Sequence, residues 1–210
     1  MAPQRMLRTL LLFTAALAVI VLPCAGSADE AERLPGDAIP SFQAIRLNLD
    51  AGKMDYTGTT RVMVRIPKAT KTIHFHAQEM KLTNVVLKGK AKSWPLTTSE
   101  GKWGLTTATA TSQIPVGSYT LEIDFSNDFD KRATSLYRVE SGGNAYTFTQ
   151  FEAIDARGAF PCWDEPAYKI PYQLTIAVPA AHEAVSNTPV MSSTTVKGVK
   201  TVVFEKTEPT

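Results

Sequence analysis

The feature that most constrains this chain is strict alternation of apolar and polar residues in runs too short and too regular for helices. Ile45, Leu47 and Leu49 alternate with Arg46 and Asn48; Val62, Val64 and Ile66 alternate with Met63 and Arg65. Tyr119, Leu121, Ile123 and Phe125 alternate with Thr120, Glu122 and Asp124. Side chains on a strand point to opposite faces in turn, so each run buries one face and wets the other. Further strands are expected at Ile73–His76, Leu82–Leu87, Tyr146–Phe151, Tyr172–Val178 and Val199–Glu205. Turn clusters at Asp50–Lys53, Lys88–Lys90, Glu100–Gly104 and Ser141–Asn144 separate them. No long segment repeats at 3.6 residues, and 12 Gly with 13 Pro would break helix interiors. The expected fold is all-β, an antiparallel β-sandwich in one domain.

The first residues read as an address rather than as fold. Arg5 and Arg8 precede the 13-residue apolar run Leu10–Leu22, which ends at Pro23. A helical span needs about 20 apolar residues, so this run predicts a cleavable signal peptide over residues 1–28, cut after Ala28. Cys24 raises lipidation as a competitor, but Pro23 is a poor residue before a lipidated Cys. The chain is therefore expected to be exported, to the periplasm or outside the cell, with no transmembrane span in residues 29–210. Of 22 Lys and Arg, Arg5 and Arg8 leave with the leader, against 20 Asp and Glu, so the mature chain is neutral. A neutral surface offers no electrostatic basis for nucleic-acid binding. Only Cys162 remains after cleavage, so no intramolecular disulfide can form and the core alone must hold the fold.

Gln150–Pro166 (QFEAIDARGAFPCWDEP) is the densest stretch of chemistry. Glu152, Asp155, Arg157, Asp164 and Glu165 lie among Phe151, Phe160 and Trp163, and carboxylates in such surroundings must be paired or hydrogen-bonded. Arg157 is the internal partner. From chemistry alone the stretch is either a salt-bridge knot that locks a loop onto the sandwich or a functional site. His74 and His76 lie two apart on one strand, a geometry that can ligate a metal but that also suits an outer, solvent-facing pair. Cys162 has no His near it in sequence and reads as a buried, inert thiol. No GxSxG, SxxK or phosphate loop is present.

Gln150–Pro166 closely resembles the N-terminal domain signature of the zinc-dependent aminopeptidase N family, the gluzincin aminopeptidases. Gly158 stands where that signature usually has a second Arg, and Trp163 where it has Phe. The resemblance extends to Ile45–Asp50, Thr70–Met80, Leu136–Arg138 and Tyr168–Pro179. It implies a saddle-like β-sandwich over residues 29–210 whose signature strand reaches the edge of an active site. Glu152 would anchor the free α-ammonium of a peptide, and Gln150 would line the pocket for its first residue. Asp155, Arg157, Asp164 and Glu165 would support the loop that carries them. The partners implied are peptide N-termini and a catalytic domain of the same polypeptide.

The family's zinc is held by HExxH and a later Glu, yet this chain has only His74, His76 and His182, and neither that motif nor the GxMEN loop. The resemblance therefore implies no catalytic residue and no metal ligand here, zinc belonging to a missing catalytic domain, and a chain inactive by itself. The strand pattern Val199–Glu205 lies five residues from the end at Thr210, so the domain is expected to be truncated at its C-terminal edge. The alternative is a stand-alone, non-catalytic extracytoplasmic β-sandwich that binds peptides or a protein partner. A stand-alone domain should carry polar residues on the face that the family buries against its catalytic domain.

Overall fold

The computed structural model describes residues 33–209; the expected signal peptide and Cys24 lie outside them. Twelve strands form in chain order: β1 (Ile39–Asn48), β2 (Asp55–Ile66), β3 (Thr70–His76), β4 (Lys81–Lys88), β5 (Ser93–Glu100), β6 (Leu105–Ile114), β7 (Gly117–Asp128), β8 (Ser135–Ser141), β9 (Asn144–Gln150), β10 (Tyr172–Pro179), β11 (Val190–Val196) and β12 (Val199–Phe204). A short helix, α1 (Ala156–Ala159), lies inside the signature stretch. Ten strands form one sheet in the order β11-β12-β10-β1-β2-β7-β4-β5-β6-β3, and β8 pairs with β9 in a separate hairpin.

The alternating runs do what their period dictates. Gln43, Val62, Leu121 and Leu87 stand opposite one another across β1, β2, β7 and β4, and all four are buried. β5 pairs with β4 through Trp94 and Pro95, then with β6 from Leu96 onward, so the sheet turns over on itself at this strand. The folded-over layer brings Ile73, Phe75, Ala108 and Ala110 onto Val62, Val64, Leu121 and Ile123, which closes one core. A second core gathers Ile45, Leu47, Phe125, Ile176, Val202 and Phe204. At its centre Gly58 lets the Phe125 ring cross β2: a Cβ there would sit 2.3 Å from Phe125 Cζ and 2.9 Å from the Arg46 carbonyl oxygen.

The all-β expectation holds, but the antiparallel one needs correction. β1 runs parallel to β10, with Ile45 opposite Leu174 and Leu47 opposite Ile176, so the sheet is mixed. The long excursion from β1 through the hairpin and signature loop to β10 gives the chain room to return in the same direction.

Candidate functional site

The signature stretch starts at the end of β9 and crosses the free edge of β3. His76 and Cys162 exchange backbone hydrogen bonds at 2.8 and 2.9 Å, and the His74 N–H donates to Asp37 Oδ1 at 3.1 Å. The edge of β3 is thus covered, which protects it from pairing with another chain. This cover also corrects the expected solvent-facing histidine pair. His76 is buried, its Nδ1 accepts from the Asp164 N–H at 3.2 Å, and burial followed by the Arg157 charge lowers its pKa to about 4. His74 Nδ1 lies 2.6 Å from Asp37 Oδ2. Because His76 Nδ1 accepts a hydrogen bond, its hydrogen sits on Nε2 and the ring has no lone pair left for a metal, and among the described residues no three His, Cys, Asp or Glu side chains gather around a point.

Arg157 is almost fully enclosed, and each of its three side-chain nitrogens donates a hydrogen bond. Nε donates to Asp164 Oδ2 at 3.0 Å, Nη2 to the Asp164 carbonyl at 2.7 Å, and Nη1 to the Trp103 carbonyl at 2.7 Å. The Arg157 carbonyl in turn accepts from the Gln78 N–H at 2.9 Å. A rigid guanidinium fork suits this three-way closure and a lysine would not. Glu165 Oε1 accepts from the Leu34 N–H at 2.6 Å, which ties the loop to the start of the domain. Asp155 sits before α1 without capping it through its side chain. The ion-pair partner of Arg157 is therefore Asp164, while Glu165 takes the Leu34 N–H instead.

Other groups that hold the loop carry no motif. Tyr56 Oη donates to the Ala159 carbonyl at 2.8 Å, Asn127 Nδ2 to the Gly158 carbonyl at 2.8 Å, and Gln43 Nε2 to the Pro161 carbonyl at 2.8 Å. Trp163 Nε1 donates to the Ala38 carbonyl at 3.0 Å. Burial raises the Tyr56 hydroxyl pKa and the Cys162 thiol pKa, so Cys162 is no thiolate at neutral pH. Gly158, at the position where the resemblance expects Arg, packs on Ser135, with room for a Cβ only 2.7 Å from Ser135 Oγ.

Gln150 and Glu152 come out of this anchored loop onto the surface. Both are exposed, and the Glu152 N–H donates to Gln150 Oε1 at 3.0 Å. That bond fixes the amide so that its NH2 group, a donor, is left for an outside acceptor. The Glu152 carboxylate beside it is an acceptor for a cation. Next to the pair lies a groove of about 1400 Å³ whose lining includes Ile45, Leu47, Phe151, Phe160, Leu174 and Ile176. Among the described residues no helix is long and apolar enough to cross a membrane.

Residues 39–210 match the family model described as the peptidase M1 N-terminal domain. Aminopeptidase M1-B of Oryza sativa subsp. japonica is 32% identical over 180 residues, covering 83% of this chain and 20% of that relative. Aminopeptidase N of Acetobacter pasteurianus is 30% identical over 200 residues, covering 90% of this chain and 56% of the relative. Endoplasmic reticulum aminopeptidase 1 of Rattus norvegicus is 31% identical over 175 residues, covering 78% and 19% respectively. The chain thus spans about a fifth of the plant and rat relatives and just over half of the bacterial one.

Proposed function

The chain belongs to the peptidase M1 N-terminal domain family, and from that premise we propose that it is the substrate-anchoring part of an exported zinc aminopeptidase that removes N-terminal residues from peptides. The observation that carries the reading is the exposed Gln150–Glu152 pair, fixed by a 3.0 Å hydrogen bond and held out by a loop closed by the Arg157–Asp164 ion pair. Glu152 receives the free α-ammonium of the peptide. A charge-assisted hydrogen bond of this kind contributes about 1.5–3 kcal/mol and is unavailable to an internal peptide nitrogen, which carries no charge. Gln150 borders the first residue and offers its NH2 group to a substrate carbonyl. Arg157, Asp164 and Glu165 position the pair, and Asp155 leads into α1 on the same loop.

Zinc, when bound in the catalytic domain, would polarise the scissile carbonyl and its water. None of that chemistry is assigned to residues of this chain, and the chain alone is expected to be inactive. The signal peptide at residues 1–28 and a domain boundary at 29 are part of the same proposal. The apolar lining of the groove favours a companion domain of the same polypeptide over a finished stand-alone binding domain, which would be expected to present polar side chains there.

The test is Glu152→Ala in the polypeptide that joins this domain to its catalytic domain. The Michaelis constant for an aminoacyl p-nitroanilide should rise at least tenfold with zinc content unchanged, matching the loss of about 1.5–3 kcal/mol. An unchanged constant removes Glu152 from the anchor role.

A further inference from the structure

The ten-stranded sheet ends differently at its two edges. At β3 the signature stretch lies along the edge, where His76 and Cys162 exchange backbone hydrogen bonds at 2.8 and 2.9 Å. At the other end β11 pairs with β12, and among the described residues no strand or bridge lies on its outer side. All seven residues of β11 (VMSSTTV) are exposed. The strand holds no Pro, no Gly and no charge, so it lacks the devices that keep a bare edge from joining another strand.

The hairpin geometry says which backbone groups this edge offers. Val196 stands opposite Val199 across the two-residue turn Lys197–Gly198, whose φ angles of 48° and 80° are the left-handed pair of a type I′ turn. The residues that flank such a turn form a hydrogen-bonded pair, and bonded and non-bonded pairs then alternate along the ladder. Val196, Thr194 and Ser192 therefore bond inward to β12, while Thr195 and Ser193 turn their N–H and C=O groups outward. The register stays regular from Val196 to Ser192 and shifts only between Ser192 and Val190.

We propose that two copies of this chain join through β11, antiparallel about a two-fold axis at Ser193, to make one continuous sheet. The proposal goes beyond the substrate-anchoring reading and stands without it. A second copy is the occupant because β11 complements itself in this register. Ser193 meets Ser193, Ser192 meets Thr194, Met191 meets Thr195 and Val190 meets Val196 of the second copy. Hydroxyl side chains thus face each other at the centre, and the exposed Val190 and Val196, at 52% and 66%, cover one another at both ends. No charges of one sign are brought together within the strand. An axis at Ser193 also turns outward-pointing backbone groups toward each other, whereas an axis one residue away, at Ser192 or Thr194, would oppose groups already bonded to β12. Since the β3 edge is covered, the pairing uses the bare edge and closes at two copies. One strand pair is a small interface, so the dimer is weak and set by concentration.

The experiment is sedimentation equilibrium of the 210-residue chain from about 1 to about 500 μM, where the average mass should rise from 22.9 kDa toward twice that value. Amide hydrogen exchange should slow at Ser193 and Thr195 over the same range and stay unchanged at Thr194. Ser193→Pro removes the N–H that bonds across the axis and leaves the bonds to β12 in place, so it should weaken association at least tenfold. If that variant loses its far-UV spectrum, Ser193→Lys is read in its place, since it sets two ammonium groups opposite each other at an exposed position. A monomer at every concentration overturns the proposal and leaves β11 to a strand of another polypeptide. Growth beyond two copies, protection that skips Ser193, or a dimer that both substitutions leave intact also overturns it, by placing the contact elsewhere.

Discussion

Arg157 embraces Asp164 from two sides, with Nε on the carboxylate at 3.0 Å and Nη2 on the carbonyl of the same residue at 2.7 Å, while its remaining arm holds the Trp103 carbonyl. Seven residues apart in sequence, the two close the signature loop into a ring. Removing the guanidinium would strand a largely enclosed carboxylate and two carbonyls. Arg157→Met should therefore cost about 3 kcal/mol in urea unfolding, the low end for breaking a buried pair because Asp164 keeps some contact with water. Arg157→Lys should recover less than half of it, since an ammonium cannot span the three acceptors. A loss below about 1 kcal/mol for Arg157→Met would place the pair among ordinary surface bridges.

His76 gives the domain a built-in acid sensitivity. Its folded pKa of about 4 lies below the ordinary value of 6.5, because burial first and Arg157 second oppose its charge. The unfolded chain therefore takes up a proton that the folded one refuses. Its contribution is fully present above pH 6.5, is lost as the pH falls toward 4, and amounts to about 3 kcal/mol across that window. His76→Gln should flatten the fall in stability between pH 6.5 and 4 by close to one proton, measured as the difference in urea unfolding between variant and parent. An identical pH slope in the two proteins would mean that His76 does not titrate this way.

The contrast between the alternating runs and β5, β6 and β11 shows what a sequence can disclose. β1, β2 and β7 were legible because one wet and one buried face impose a period on side-chain type. β6 (LTTATATSQI) shows little such contrast, since its buried positions up to Ile114 are Thr106, Ala108 and Ala110 and the residues between them are Thr. Small side chains suit the place where the folded-over layer closes. β11 (VMSSTTV) is exposed throughout and exists by pairing with β12. The parallel pairing of β1 with β10 leaves no local mark either, as it joins segments more than a hundred residues apart. In the candidate site, the charges of Gln150–Pro166 announced a paired loop, and Arg157 with Asp164 supplies the pair. His76 was misplaced because its partner is the backbone N–H of Asp164, which no side-chain pattern reveals.

Gly58 is a case where propensity and packing predict opposite signs. Alanine should be favoured over glycine inside a strand by roughly 0.5–1 kcal/mol. A Cβ there would meet Phe125 Cζ at 2.3 Å and the Arg46 carbonyl at 2.9 Å, and the second contact is backbone that cannot swing away. Overpacking should win, so Gly58→Ala should lose about 1–3 kcal/mol in thermal or urea unfolding. A stabilised variant would show that the sheet yields at this point.

The most direct test of the central claim, that this chain is the substrate-anchoring part of a zinc aminopeptidase, is an immunoprecipitation from its source with an antibody against residues 33–209. The expected result is a band several times heavier than the 22.9 kDa chain that releases p-nitroaniline from an aminoacyl p-nitroanilide and loses that activity to a zinc chelator. A band at or slightly below 22.9 kDa with no such activity would contradict it.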